Sequence, residues 1–497
     1  MNWLPLFVVV PLGMAFLTPI LSKWLKWFPD AAANLATGSA MALSIVALPF
    51  AKATTVYFVG GWMPFNGVPI GIHLVLDGLT VLMLLAVNLV AFACTVYSVS
   101  YMKHYTDKAK FVTLFLLMVA GLNGVVVSGD LFNVFVFFEI TAIACYALVA
   151  FGVEAEELEA SFKYQVLGGV ASSLILLGIA LFYWLTGTLN LADGARVLAQ
   201  KEGNPAVFFI GGLLFTGFGL KGALMPFHAW LPDAHPSAPA PVSAMLSGVV
   251  IKVLGVYAIC RVFFNVLGVT PALLSVLLVL GVVSMTVGVL LALAQWDFKR
   301  LLAYHSISQM GYIVIGIGLG TPLGILGGLF HLVNHTVFKS LLFLNAGALE
   351  YATGTRNLKR LGGLNRKMPV TSGTSMIASF SIAGLPPFNG FWSKLVIVLA
   401  CVQAGHPIIA GWAVLGSILT LASFLKVQRY AFWGELRETW ARVREAPAPM
   451  CAAMIALAIL CLAMGALLIP SVKAAVLDPA VEVLTGGLSY ASKALGG

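Results

Sequence analysis

The chain of 497 residues is 60% hydrophobic and only 9% charged, with a formal net charge of +9 and a mean hydropathy of +0.98. That composition excludes soluble globular and intrinsically disordered classes and leaves an all-α polytopic membrane protein surrounded by lipid bilayer. Its six cysteines fall singly in apolar segments without CxxC spacing, and it has no GxGxxG or Walker loop, so no disulfide framework, metal site or bound cofactor is expected.

At about 20 apolar residues per span, fourteen transmembrane helices are expected near residues 3–22, 31–51, 73–101, 111–128, 131–152, 161–186, 206–223, 241–263, 271–294, 301–320, 323–349, 370–403, 408–430 and 450–470. The first, LPLFVVVPLGMAFLTPIL, lacks a basic leader and a small-residue cleavage site and is expected to be a retained helix. An even number of spans puts both termini on one side. Loops after odd-numbered spans hold 18 Lys and Arg residues, from Lys23 and Lys26 to Arg442 and Arg444, against 6 opposite (Lys52, Arg196, Lys201, Arg261, Lys473 and Lys493). The positive-inside rule then predicts an inner (cytoplasmic) membrane protein with both termini outside, and it explains the net charge without a nucleic-acid partner. The expected organisation is helices 1–3 (1–110), a first repeat of helices 4–8 (111–268), a second repeat of helices 9–13 (269–432), then an inner loop, helix 14 and a short tail (433–497).

Ionisable residues inside these spans are the main functional signal. Each costs about 2.5–3.5 kcal/mol at the bilayer centre unless it faces a partner or water. Glu139 in GDLFNVFVFFEITAIACYALVAF lies nine residues after Asp130, near mid-bilayer, where it needs a cation to stay ionised. Lys221 is its natural partner; the alternative role is a static pair tying two helices. Asp77 and Asp130 read equally well as helix caps, and EAEELEA at 154–160 as a solvated loop face or a contact with a cytoplasmic partner.

Span 7 is interrupted around Pro226 and Pro232 and span 12 around Pro386 and Pro387. Proline removes a helical hydrogen bond, and irregular backbone persists at membrane depth only where it is buried or lines a wet cavity. Paired broken helices point to an ion site between inverted repeats, so helices 7 and 12 correspond and Lys221 matches Lys394. Counting back from Lys394 by the 82 positions between Glu139 and Lys221 reaches Tyr312, leaving the second half without a carboxylate. Prolines that merely kink packed helices are the alternative.

His228 and His235 lie in the first break on the inner side, suited to proton entry or to loop packing. Lys252 in PVSAMLSGVVIKVLGVYAICRVFF has no acid in its own helix, so it can serve as a relay amine or bond a freed carbonyl. His331, His335 and Lys339 recur at i, i+4 steps on one helix face as three proton-exchanging groups, and His305 in LLAYHSISQMGYI can extend the set. Lys426 reads as an interfacial snorkelling residue.

GDLFNVFVFFE at 129–139, LKGALMPFHAWLPDAHPSAPAPVSAML at 220–246, KRLLAYHSISQMGY at 299–312, HLVNHTVFKSLLFLNAG at 331–347 and IAGLPPFNGFWSKL at 382–395 together resemble the antiporter-like subunits of the complex I, Mrp antiporter and membrane-bound hydrogenase superfamily. The resemblance covers nearly the whole chain. It implies about fourteen helices with two inverted five-helix repeats, broken helices 7 and 12, and a midplane proton route. On it, Glu139 and Lys221 are the ion pair, Lys252 the bridging lysine, His331, His335 and Lys339 the eleventh-helix relay, and Lys394 the terminal lysine. Lys394 in place of a glutamate, with FFEITAIACYALVAF and EELEASFKY, is most similar to Mrp D-like subunits, including those of hydrogenase- and formate-linked complexes.

The function expected is proton translocation within a multisubunit complex whose other membrane subunits supply electron transfer. An Mrp-type sodium/proton antiporter subunit is the second reading. A quinone-reducing subunit is the third and requires a redox centre or a quinone pocket in the chain.

Overall fold

The computed structural model describes residues 2–65, 68–201 and 203–495. Helices α1 (Leu6–Leu21) and α2 (Phe28–Ala47) precede strands β1 (Thr55–Phe58) and β2 (His73–Leu76). Then come α3 (Gly78–Tyr101), α4 (Lys108–Val127), α5 (Leu131–Val149), α6 (Ala155–Thr186), α7 (Leu191–Leu198) and α8 (Pro205–Lys221). After a break, α9 (Leu231–Ser237) leads to α10 (Ala240–Met245), which runs on mostly in π-helical turns to Leu267. The second half contains α11 (Pro271–Leu293), α12 (Phe298–Gly318), α13 (Pro322–Thr353), α14 (Pro369–Ala383), α15 (Asn389–Gln403), α16 (Pro407–Val427) and α17 (Ala448–Ala463). Three short helices close the chain: α18 (Pro470–Val476), α19 (Asp478–Thr485) and α20 (Tyr490–Leu495).

Among the described residues nine helices are long and apolar enough to cross a membrane, and α1, α8 and α15 are shorter apolar helices. The two helices richest in buried polar groups, α12 and α13, are not among the nine, because His, Lys, Asn, Gln and Ser dilute their hydropathy. Large apolar side chains such as Phe16, Leu35, Phe162, Val279 and Ile418 stand exposed around the molecule. That outer surface suits lipid or neighbouring subunits.

Polar caps set the helix starts. The Thr80 amide donates to Asp77 Oδ1 (2.9 Å), Asn133 to Asp130 (2.7 Å) and Arg300 to Asp297 (2.9 Å). Glu154 and Glu157 form a capping box, so EAEELEA is the start of α6 and not a loop. The all-α expectation also needs correction. Residues 73–76, read as the start of a helix, pair antiparallel with β1, Thr55 opposite Leu76 and Phe58 opposite His73. Asp77 ends that hairpin because its side chain starts α3 one residue later.

Helices α6 and α13 are each 32 residues long and end in the same turn, Thr-Gly-Thr-x-Asn-Leu. Gly187 (φ 73°) and Gly354 (φ 69°) adopt the left-handed conformation that a side chain disfavours. Thr186 Oγ1 donates to Thr188 O (2.9 Å) and Thr353 Oγ1 to Thr355 O (3.2 Å). Asn190 then pairs with Asp130, and Asn357 with Asp297. Both pairs differ by 167 positions, from 130 to 297 and from 190 to 357. In that register Glu139 aligns with Ser306 and Ser172 with Lys339, so Tyr312 does not take the place of Glu139. The stretch from Asn190 to Lys221 is 31 positions and that from Asn357 to Lys394 is 37, so counting back from the lysine falls six positions short.

On the face opposite the Lys/Arg-rich loops, Arg261 is buried and not a loop charge. Its Nη1 and Nη2 donate to Asp77 Oδ2 and Oδ1 at 2.7 and 2.8 Å. Its guanidinium lies 5.6 Å from the Tyr257 ring and 5.1 Å from the Tyr490 ring of α20. Asn265 Nδ2 adds bonds to Val483 O (2.8 Å) and Gly487 O (3.2 Å). This seam joins α3, α10 and the closing helices. Removing one partner of a buried ion pair costs about 3–5 kcal/mol, since the other is left unpaired. Arg261→Ala should therefore melt well below the parent in detergent, and the double variant Asp77→Ala/Arg261→Ala should recover much of the loss.

Candidate functional site

Five elements bring the ionisable row together. On α5, Glu139 Oε1 accepts from Ser172 Oγ of α6 and lies 3.5 Å from Lys221 Nζ at the end of α8. The lysine side chain is 1% exposed and the glutamate 33%. The pair is therefore lopsided: the ammonium is sealed inside while the carboxylate looks outward between α5 and α6.

Beyond Lys221 the chain leaves the helix, with cis peptides at Met225–Pro226 in this break and Pro386–Pro387 in the other. At the first break the backbone of α8 meets that of α10. A Cβ on Gly255 would fall 2.4 Å from the Gly222 Cα, so only glycine permits the approach. Lys252 thus lies in the stretch packed against the end of α8, on a π-helical turn, a geometry that recurs at functional sites. Its ammonium donates to the Ser247 carbonyl of its own helix.

A chain of polar atoms then leads to α13. Ser247 Oγ and Ser306 Oγ are 2.6 Å apart, Ser306 Oγ donates to Leu302 O at 3.0 Å, and the same carbonyl accepts from Lys339 Nζ. Hydroxyls can accept one proton and pass on another; the carbonyls hold the ammonium groups in place. His335 follows on α13, fully buried and, among the described residues, with no hydrogen-bond partner on either ring nitrogen. Its ring stacks at 6.2 Å with His331. His331 shares hydrogen bonds with Ser393 Oγ through Nδ1 (2.9 Å) and with Gln309 Oε1 through Nε2 (3.1 Å). Lys394, next to Ser393, places Nζ 4.5 Å from the Tyr312 ring and donates to Ile382 O (2.8 Å), a carbonyl at the second break.

Three sequence candidates stand apart from that line. His228 is partly exposed and has Nδ1 3.2 Å from Pro226 O. His235 is fully buried between Trp230 and Phe343, and among the described residues both its nitrogens are unpartnered; Phe343 in turn lies 5.5 Å from Lys339 Nζ. His305 turns away to Ser423 of α16 (2.9 Å). Lys426, read as a snorkelling residue, donates instead to two backbone carbonyls, Leu293 O and Gln295 O (2.7 Å each). Among the described residues, no hydrogen bond joins Lys221 to Lys252, and no three His, Cys, Asp or Glu side chains gather as a metal site.

Sequence reasoning missed the serines and Gln309 that connect the row, since lone Ser and Gln residues carry no periodic signal. It also missed Glu350, whose Oε2 is 2.9 Å from Lys299 Nζ. Lys299 also donates to Ala238 O (3.2 Å) and Arg356 to Pro236 O (2.7 Å), so this cluster clasps the segment beside His235. Next to it a charged cavity of about 540 Å³ opens among Glu156, Lys163, Asp233, Asp297, Arg300 and Arg356.

Residues 128–420 match the family described as NADH:quinone oxidoreductase/Mrp antiporter, transmembrane, and residues 62–112 match the N-terminus of complex I chain 5. The chain is 37% identical over 391 residues to the D-type subunit of the Na(+)/H(+) antiporter of Alkalihalophilus pseudofirmus, covering 78% of each. It is 36% identical over 452 residues to the N-type subunit of the NADH-quinone oxidoreductase of Desulforudis audaxviator, covering 89% of each. A chain in the solved Mrp complex from Dietzia sp. DQ12-45-1b superposes with a TM-score of 0.91 at 30% identity, over 99% of both chains.

The glycine contact between α8 and α10 carries a direct test. Gly255→Leu must push the two backbones apart, at a cost of about 1–3 kcal/mol. Purified protein should melt earlier and lose ion movement, whereas Gly169→Leu, at an open exposed position of α6, should leave both unchanged.

Proposed function

Since the chain belongs to the NADH:quinone oxidoreductase/Mrp antiporter transmembrane family, we propose that it is a proton-translocating, antiporter-like subunit of a multisubunit energy-converting membrane complex. It has no redox chemistry of its own; partner subunits supply the driving step. The observation that carries this reading is the polar chain from Lys252 through Ser247, Ser306 and the Leu302 carbonyl to Lys339. Buried ammonium groups set on backbone carbonyls, with a hydroxyl pair between them, are a costly way to pack helices and a suitable way to pass protons.

The matched Thr-Gly-Thr-x-Asn-Leu turns support two inverted five-helix repeats within fourteen spans, with helices 7 (α8–α9) and 12 (α14–α15) broken. The distribution of Lys and Arg supports both termini outside an inner membrane. In the cycle, a change at a neighbouring subunit pulls the partly exposed Glu139 away from Lys221. Without its counter-charge Lys221 gives up a proton, and water carries it to Lys252 beside the α8–α10 contact. The Ser247–Ser306 hydroxyl pair hands it to Lys339. His335 and His331 then carry it to Lys394, where the Ile382 carbonyl steadies the charged form until release. His235, beside the charged inner cavity, supplies protons from the cytoplasmic side.

A sodium/proton exchange cycle using the same row is the second reading, favoured by the 37% identity to the D-type subunit of an Na(+)/H(+) antiporter. Proton uptake by the purified complex in sealed vesicles, with and without sodium, separates the two: loss of uptake in sodium-free medium selects exchange.

Losing a positioned acid–base group costs roughly 10²–10⁴-fold in rate. Glu139→Ala and Lys394→Ala should each cut proton translocation by at least that lower factor while the complex still assembles. Normal translocation in both variants rules the row out.

A further inference from the structure

Both members of the Glu139–Lys221 pair are tied to α6. Glu139 accepts directly from Ser172 Oγ. Lys221 is tied at second hand, about two turns nearer the Lys/Arg-rich loops. There the Tyr164 ring lies flat on the indole of Trp230, with centroids 4.1 Å apart and planes 6° apart. Trp230 Nε1 in turn donates to Leu220 O (3.0 Å), the carbonyl just before Lys221 and one of the last of α8. Lys163, beside Tyr164, adds an ion pair with Asp233 of α9 (3.0 Å). The break segment from Trp230 to Asp233 is therefore fastened to α6 on one side and to the end of α8 on the other.

Tryptophan is rarely buried completely, and when it is, its N–H needs a partner. Trp230 and Tyr164 are both buried, and the indole N–H is spent on holding a helix end. A tryptophan beside a break does not do this as a matter of course. Trp392, at the second break, is 37% exposed and donates to Pro387 O (3.3 Å), and among the described residues no ring stacks flat on it. The register of the two halves gives the clamp its meaning. Shifted by 167 positions, Tyr164 of α6 falls on His331 of α13, and His331 Nδ1 shares a hydrogen bond with Ser393 Oγ (2.9 Å). From the same position, then, each 32-residue helix holds the residue that precedes the lysine of its half. It is Leu220, through Trp230, in the first half and Ser393, directly, in the second. In the first half alone that helix also holds the carboxylate facing the lysine.

We propose that α6 is the lever of the Glu139–Lys221 switch and that Trp230 is the positioning residue through which α6 sets Lys221. The two grips differ in stiffness. A hydrogen bond to a carboxylate is directional and holds its atoms within a narrow range of distance, whereas two rings lying flat on each other keep most of their contact when one slides over the other. A displacement of α6 therefore carries Glu139 with it and lets Lys221 lag behind, which lengthens the 3.5 Å contact between them. The return of α6 restores it. The clamp itself follows from the geometry of α6 and the break; its part in transport rests on the function proposed above.

Lys221→Cys tests the clamp without transport. In the purified complex the thiol at this sealed position is titrated with a small methanethiosulfonate reagent, and the native buried Cys461 serves as reference. Adding Tyr164→Leu, which removes the stack, should speed the reaction at 221 at least about tenfold, since a thiol reacts according to its access. Tyr164→Phe, which keeps the stack, should not, and Cys461 should keep its rate throughout. An unchanged rate at 221 in Tyr164→Leu, or an equal rise at Cys461, overturns the clamp. In vesicles that pump, Ser172→Ala and Tyr164→Leu should each slow proton translocation about tenfold, the worth of one charge-assisted contact. The two positions lie about 12 Å apart along α6, far enough for independent effects to multiply to about a hundredfold. Because both act on one pair, the double variant should instead stay within about threefold of the slower single variant. A loss equal to the product overturns the lever, as does full translocation in Tyr164→Leu. A parent complex that moves no protons at all refutes the proposed function and leaves the thiol rates to decide the clamp.

Discussion

An ammonium group withdrawn from water must find acceptors, and this protein supplies them mostly from its own backbone. Lys252 uses Ser247 O, Lys339 uses Leu302 O and Lys394 uses Ile382 O. A carbonyl dipole steadies the positive charge without cancelling it, so the proton stays removable; a buried carboxylate would hold it fast. The irregular helices follow from this need. The π-helical turns of α10 and the break after α14 are places where carbonyls are released from the regular i to i+4 ladder and become free to face a side chain. Among the described residues Lys221 is the one lysine of the row with a carboxylate within reach, and that carboxylate is partly exposed.

Much of this was legible in the sequence. An apolar chain exposes each intramembrane charge, so Glu139, Lys221, Lys252, Lys339 and Lys394 stand out, as do the proline pairs beside two of them. The i, i+4 spacing of His331, His335 and Lys339 correctly gave one helix face. What escaped were contacts between residues far apart in sequence: Ser247 with Ser306, His331 with Gln309 and Ser393, Asp77 with Arg261. Nothing in local periodicity encodes such meetings. Arg261 was misassigned because a charge near a span end looks the same whether it reaches water or a buried aspartate. The β1–β2 hairpin was missed because HLVL adjoins an apolar helix and shares its composition.

Aligning the two identical turns changes how the halves compare. Glu139 and its donor Ser172 in the first half fall on Ser306 and Lys339 in the second. Acid and hydroxyl in one half stand where hydroxyl and base stand in the other. On that alignment the matched positions carry a negative charge at one end of the row and a positive charge near its middle.

The seam around Arg261 has a consequence for how the molecule is made. Asp77, Arg261 and Tyr490 leave the ribosome in that order, the first two 184 positions apart and the third well over two hundred positions later. Until the last helices emerge, the Asp77–Arg261 pair lacks its aromatic cover, and Asn265 lacks the two carbonyls it binds. The early helices therefore gain these contacts only after α19 and α20 have been made, and the two short helices fasten α10 across a long stretch of sequence.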